Sequence, residues 1–276
     1  MSLDRVYGYS AFMRVFDFSD AIVRLPGHSV VDGLRAHGGA GPTFDGVLRE
    51  HRAYVSALEA AGITVEILPP LERFPDSVFV EDPALVFSEA AILLRPGTAS
   101  REAEAAELAP TLRRRFARVI ALGEGAADGG DVLVTPQRVF IGLSGRTDRK
   151  GAQALVTRLR SIGREGRIVD TPRSILHLKT ACSLIDEETI LATEALAATG
   201  IFDGFRVLIV PEGEEAGANL LRVNDRLLMG AGFPRVRERI ESRIVEIVEL
   251  TISEIGKIDA GLTCMSLRWS AQHGVA

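Results

Sequence analysis

The chain has 276 residues, 46% of them hydrophobic, and a formal net charge of −5. That length suits one large domain or two ordinary ones, and without a basic block the acidic balance argues against nucleic acid as a partner. No run approaches the roughly 18 uncharged apolar residues of a membrane span, and Met1-Ser-Leu-Asp-Arg5 does not lead into a signal-type apolar core.

The two cysteines, Cys182 and Cys264, lie far apart, so neither a disulfide framework nor a paired-cysteine zinc site is expected. A reduced, cytoplasmic protein is the expectation.

Residues 1–19 read as a loosely specified lead-in. Asp20-Ala-Ile-Val-Arg-Leu-Pro26 reads as a short strand stopped by proline. Ser29 to Leu34 suits a helical turn, with Ser29 as candidate cap and Asp32 in the first turn. Gly38 to Pro42 breaks it. From Thr43 to Ala61 the apolar residues Phe44, Val47, Leu48, Tyr54, Val55 and Leu58 recur at helical spacing, and Gly62 ends the helix. Ile63 to Leu68 alternates as a strand does. The acidic stretch Leu71 to Phe87 follows. Its apolar centre Val78-Phe-Val80 is expected to be a buried strand, with Asp76 at one end, Glu81 and Asp82 at the other, and Pro83 ending the pairing. Three carboxylates around a buried segment cost desolvation energy unless a cation offsets it.

From there one pattern repeats. Leu85–Phe87 and Ala91–Leu94 form a hairpin, then a helix runs from about Ser100, its expected cap, to Ala117, and Val119–Leu122 is a strand. A polar loop ending in Asp128-Gly-Gly-Asp131 precedes the hairpin Val132–Thr135 with Val139–Gly142, a helix from about Lys150 to Ile162, and the strand Arg167–Val169. His177 precedes the hairpin Cys182–Asp186 with Thr189–Ala192, the short helix Glu194–Ala198, and the strand Arg206–Val210. Asn219 precedes Leu220–Val223 with Arg226–Met229, then helix Val236–Glu241 and strand Val245–Leu250. Gly261 to Trp269 opens one more hairpin whose second half is missing, and Ala21–Arg24 is placed to supply it and close a ring.

Asp82, Asp131, His177, Asn219 and Cys264 thus recur about every 45 residues, each before a hairpin. The expected class is α/β: a radial or stacked array of five strand–hairpin–helix units, with short sheets around a centre and helices outside. A doubly wound sheet is the alternative, but it needs parallel crossovers throughout and the hairpins speak against it. Ring closure would bring the recurring polar residues to one axis. A thiol and an imidazole among carboxylates suggest covalent thiolate chemistry. The carboxylates fit a planar cation such as a guanidinium, which they grip by paired hydrogen bonds. Its central carbon is a poor electrophile, so a strong nucleophile and a proton donor to the leaving amine are both needed. Each residue also has a plain structural reading. Cys182 reads as core, Asn219 as orienting a loop, Gly129-Gly130 as a turn, and His28, His37, His51 and His273 as surface residues.

Phe74-Pro-Asp-Ser-Val-Phe-Val-Glu-Asp82, Asp128-Gly-Gly-Asp131, Leu176-His-Leu-Lys179 and Leu262-Thr-Cys-Met-Ser266 together resemble the dimethylarginine dimethylaminohydrolases, of the guanidino-group-modifying superfamily. The resemblance runs from about residue 20 to 269. It implies the five-bladed α/β propeller known as the pentein fold, in a single catalytic domain over 1–276, with 1–19 a lead-in and 270–276 a tail. It implies hydrolysis of mono- and dimethylated arginine to citrulline through a covalent Cys264 thiouronium, with His177 as acid and base and Asp128 completing the catalytic set. Asp82 and Asp128 would hold the guanidinium, Arg101 and Arg146 the substrate carboxylate. Asp76 and the carbonyl of Leu34 would take the α-amino group, with Glu81 and the backbone at Ile258 completing the pocket. The resemblance calls for no metal and no organic cofactor, and for a small-molecule substrate, no nucleic acid and no membrane; a homodimer is compatible with it.

Rival readings are arginine or agmatine deiminase, an amidinotransferase, and, from another class, a non-catalytic propeller that serves as a binding factor. The agmatine enzyme has no substrate carboxylate for Arg101 and Arg146 to hold, and the arginine enzyme usually carries a helical insertion for which there is no room here.

Overall fold

The computed structural model describes residues 14–35, 39–241 and 246–271. Most of the expected lead-in and tail, together with His37, Gly38, Val245 and His273, lies outside them.

The repeat is built as read. Five three-stranded sheets stand in sequence order, and each combines an antiparallel hairpin with a third strand parallel to the middle one. In the first complete unit β3 (Ala84–Phe87) pairs antiparallel with β4 (Ala90–Leu93), and β5 (Val119–Ala121) returns parallel to β4 after helix α2 (Glu104–Arg115). The parallel return needs a crossover connection, and the helix supplies it. The next units repeat this plan. They are β6 (Val132–Val134), β7 (Val139–Leu143), α3 (Arg149–Arg160) and β8 (Gly166–Asp170); β9 (Cys182–Leu184), β10 (Thr189–Ala192), α4 (Glu194–Ala197) and β11 (Arg206–Ile209); and β12 (Leu221–Val223), β13 (Arg226–Gly230), α5 (Pro234–Glu241) and β14 (Glu246–Leu250).

The fifth unit closes the ring. β1 (Asp20–Arg24) pairs antiparallel with β15 (Leu267–Trp269), in the register Asp20↔Trp269 and Ile22↔Leu267. It pairs parallel with β2 (Thr64–Leu68), which follows α1 (Phe44–Ala60). The result is a five-bladed α/β propeller. Hydrophobic packing joins neighbouring blades: Tyr54 and Leu58 of α1 pack with Leu221 and Leu228 of the blade before, and Leu133 and Phe140 with Cys182 and Ile190 of the blade after. Among the described residues no helix is long and apolar enough to cross a membrane.

Several local expectations change. Val78-Phe-Val80 is buried but is a chain of turns, not a strand. Its ladder partners are replaced by a side chain, because the Asp76 and Phe79 carbonyls accept from the Arg101 guanidinium. Ser29 lies inside a 3₁₀ turn, His28–Asp32, that Gly27 precedes. Ser100 sits in a separate turn, Ala99–Arg101, ahead of α2. Thr43 caps α1 through Gly46, and Asp148, which the sequence reading passed over, caps α3 through Gly151. His51 is not at the surface. It is fully buried on the face of α1 that also carries Val47 and Val55, four residues to either side, and burial lowers its pKa to about 4.

Candidate active site

The loop before each inner strand carries one of the recurring polar residues, and hydrogen bonds link these loops in a ring. Asp82 Oδ1 accepts from Gly130 N–H at 3.0 Å, and Asp131 Oδ1 accepts from Leu178 N–H at 2.9 Å. Asn219 donates to the Lys179 carbonyl at 2.8 Å and to Thr263 Oγ1 at 3.1 Å, and accepts from Thr263 N–H. The ring closes where Glu81 N–H donates to the Cys264 carbonyl at 3.2 Å. Asp82, Asp131 and Asn219 thus fix loops of neighbouring blades through their side chains, and Cys264 does so through its backbone carbonyl. The approach leaves no space for side chains at two glycines. A Cβ on Gly130 would stand 2.6 Å from His177 Nδ1, and one on Gly261 2.4 Å from Asn219 Oδ1.

Cys264 sits on a one-turn 3₁₀ segment, Leu262–Met265, and is 6% exposed. Burial and then the charges of Asp82 and Glu81 push its thiol up to about 12. The sequence left open whether the thiol is raised or depressed without a ligand; in this structure it is raised. Thr263 Oγ1 lies 3.9 Å from the sulfur. His177 Nε2 lies 3.4 Å from Asp128 Oδ2. Burial disfavours the imidazolium, but Asp82, Asp128 and Asp131 outweigh it and raise the pKa to about 9. Asp82 is held below the usual carboxylate range because Arg101 and His177 outweigh its burial. At neutral pH the site thus holds a thiol, an imidazolium and a carboxylate.

Asp128 anchors itself by accepting from Gly97 N–H with Oδ1, at 2.7 Å. Its Oδ2 is buried with no hydrogen-bond partner among the described residues, as is His177 Nε2. The His177 imidazolium 3.4 Å away offsets the burial of Oδ2 without forming a good hydrogen bond, so this oxygen keeps capacity for a further donor. Oxygens of Asp82 and Asp128 and a nitrogen of His177 lie within 4.8 Å of one another, close enough to share a divalent ion. A metal would require His177 to lose its proton and Asp82 to share its oxygens with Arg101. A planar cation also shares Asp82 with Arg101, but it leaves the His177 proton in place.

The remaining expected residues fall into two groups. Asp76, buried, accepts from Leu34 N–H at 3.0 Å, and burial raises its pKa despite the nearby Arg101. Ile258 packs beside Gly33 in the same wall. Arg146, half-buried, reaches Thr98 Oγ1. Arg101 departs from expectation: it is buried and already engaged. Its guanidinium donates to Asp82, to both oxygens of Glu104 and to the Asp76 and Phe79 carbonyls. As placed here it holds Asp82, not an open carboxylate position. Glu81 does not face a ligand alone either. Lys179 Nζ lies 2.5 Å away and Arg268 3.1 Å, and Arg268 also donates to the Thr263 carbonyl. The sequence reading gave Lys179 and Arg268 no role. The signals available were the Leu176-His-Leu-Lys179 run and an arginine inside the closing strand.

Comparison with known proteins agrees with this geometry. A family model described as arginine deiminase matches residues 71–218. The dimethylarginine dimethylaminohydrolase of Pseudomonas aeruginosa is 37% identical over 254 residues, covering 91% of this chain and all of its own. That of Streptomyces coelicolor is 35% identical over 90% of this chain and 96% of its own. The chain belongs to the dimethylarginine dimethylaminohydrolase family. Among solved structures, a Cys-to-Ser mutant of the Pseudomonas aeruginosa member in complex with citrulline superimposes with a TM-score of 0.88 over 92% of this chain and 100% of that one, at 37% identity. The N-terminal domain of a cyanobacterial arginine dihydrolase, at 17% identity and a TM-score of 0.81 over 91% of this chain and 98% of that one, shares the fold. Within the dimethylarginine dimethylaminohydrolase family the five-bladed propeller is therefore the expected frame, and this chain's blade-junction ring occupies it from β1 to β15.

Proposed function

We propose that this enzyme hydrolyses Nω,Nω-dimethyl-L-arginine, and Nω-monomethyl-L-arginine, to L-citrulline with release of dimethylamine or methylamine. The observation that carries the reading is the buried Cys264 thiol on the ring that also presents Asp82, His177 and the unbonded Asp128 Oδ2. The family supports it: the Pseudomonas aeruginosa relative was crystallised with citrulline once a cysteine had been replaced, and another solved dimethylarginine dimethylaminohydrolase is an adduct with S-methyl-L-thiocitrulline.

The chemistry follows from the charges. The substrate guanidinium donates to Asp128 Oδ2 and to Asp82. Its positive charge offsets the acids that hold the thiol up, so binding favours the Cys264 thiolate, whose proton is released to solvent because His177 is already protonated. The thiolate attacks the guanidinium carbon. Protonated His177 gives its proton to the departing amine, and a thiouronium remains on Cys264. Neutral His177 then takes a proton from water, hydroxide adds to the same carbon, and the carbon–sulfur bond breaks to leave citrulline. Arg146, with Arg101 sharing donors now held by Asp82 and Glu104, faces the substrate carboxylate. Asp76 and Leu34 face its α-amino group, and Glu81 and Ile258 complete the wall. No step calls for a metal or organic cofactor. A single catalytic domain and a cytoplasmic location belong to the same proposal.

The test is citrulline release from asymmetric dimethylarginine, with arginine and agmatine in parallel and Cys264→Ser as control. Turnover of the methylated substrate that falls by at least about 10⁴-fold in the mutant is the expected result. Turnover of arginine alone would make the enzyme a deiminase, and no ureido product from any substrate (citrulline, or N-carbamoylputrescine from agmatine) would sink the hydrolase reading.

A further inference from the structure

A cavity of about 280 Å³ lies on the propeller axis, lined by residues of β3, β6, β9, β12 and β15. Cys264, His177, Asp82 and Asp128 do not line it; Glu81, Lys179 and Thr263 separate it from them. It extends from Glu81, just before β3, to Ser88, just after it, the length of a four-residue strand or about 13 Å. Its walls are mainly apolar, with Leu85, Leu133, Leu184, Leu221 and Trp269, and are interrupted by Ser183, Ser266 and Arg268. The end away from the catalytic side carries Arg14, Arg164 and Arg222.

These arginines are not equivalent. Arg14 pairs with Asp17 and Asp225, and Arg164 with Glu89. Arg222 forms no ion pair among the described residues; its Nε donates to the Asn224 carbonyl at 2.8 Å. The guanidiniums of Arg14 and Arg222 both lie over the ring of Phe16, 4.9 and 5.1 Å from its centroid. Two like charges are thus held on one phenyl ring, half-buried, at the rim of an apolar cavity. Asp17 and Asp225 already neutralise Arg14, and Asp225, Asp186 and Asp17 also act on Arg222, which nonetheless has no ion pair of its own among the described residues and keeps guanidinium donors for an added anion. The five walls below offer the anion's apolar part a place out of water.

From this placement we infer that the axial cavity is a second binding site, for a small organic carboxylate with an apolar body, its head against Arg14 and Arg222 and its body between the inner strands. The strap that brings Arg14 and Phe16 there is fixed by Asn224, which accepts from Phe18 N–H and donates to the Phe18 and Ala61 carbonyls.

Trp269 is the chain's one tryptophan and lines the cavity, so its fluorescence reports occupancy directly. The experiment titrates the whole protein with octanoate, in parallel with octan-1-ol, and repeats the octanoate titration with saturating citrulline. Arg222→Gln and Arg14→Gln are compared after circular dichroism and citrulline-forming activity show each to be folded. The expected result is a saturable change with octanoate that citrulline does not displace, weaker by about tenfold or more in either variant and with the alcohol. Three results would overturn the site: no saturable change, displacement by citrulline, or unaltered affinity in a folded variant. Equal affinity for octan-1-ol would remove the carboxylate from the assignment.

Discussion

The two ends of the propeller axis each hold clustered charges, buried carboxylates at one and half-exposed arginines at the other, and they hold them in opposite ways. At the catalytic end Asp76, Glu81, Asp82, Asp128 and Asp131 are all buried. Each has anchors there: Leu34 for Asp76, Lys179 and Arg268 for Glu81, Gly130 and Arg101 for Asp82, Gly97 for Asp128, and Leu178, Ser144 and Thr147 for Asp131. At the other end Arg14, Arg164 and Arg222 are half-exposed, and water shares their charge. The acidic end is expensive to build and rigid. Its selectivity comes from what is left over, one unbonded Asp128 oxygen beside a protonated His177. The basic end is cheap and loose, and recognises by sign more than by geometry.

The sharpest way to break this contrast is Asp82→Asn. It removes a charge-assisted partner of Arg101 in a site closed to water, so unfolding free energy should fall by about 3 kcal/mol, the low side for a broken buried pair because Glu104 still faces Arg101. Activity should fall with it, by two orders of magnitude or more. Urea midpoints that match the wild type would mean that Arg101 does not depend on Asp82.

The next effect is a pH dependence. His177 is raised to about 9 from an ordinary value of 6.5. Its contribution to stability is therefore complete below about pH 6.5 and is lost as pH rises through about 9, whereas kcat/KM, which also requires the free enzyme's Cys264 thiol, pushed up to about 12, to lose its proton, should rise with pH below about 9 and level off as the His177 acid is titrated away. Melting temperatures between pH 6 and 10, compared with His177→Gln, isolate the loss of stability; a mutant with the same slope would assign it to another group. The smallest effect belongs to the basic end. Arg222→Gln relieves repulsion by Arg14 and removes no ion pair among the described residues, so stability should change by no more than about 0.5 kcal/mol. A loss of several kcal/mol would show that this end is built like the other.

Much of the architecture was legible because it rests on local pattern. Hairpins alternate with helices at a regular period, and the half-hairpin ending at Trp269 finds its partner in β1. The four motifs likewise pointed to Cys264, His177, Asp82 and Asp128. What stayed hidden depends on partners distant in sequence. Val78-Phe-Val80 has strand composition, yet the carbonyls that bracket it turn to Arg101. His51 has no motif, and its burial follows only from which face of α1 turns inward, where the backbone of Arg24 on β1 of the same blade meets it. Arg101 reads as a free cation until Glu104, one turn on, and Asp82 are seen to enclose it. The strap at Arg14–Phe18 gains its meaning from the turn at Asn224, more than 200 residues away.

The pairing of β1 with β15 also sets a time order. Blade five takes two of its strands from the start of the chain and one from the end, and Cys264 lies three residues before that last strand. A chain still emerging from the ribosome can assemble four blades and gather its carboxylates, but it has neither a closed ring nor a nucleophile. The contact of longest range is made last, and is a slow one to form. Completion of the fold and arrival of reactivity are thus one event, so a truncated or stalled product is chemically silent by construction.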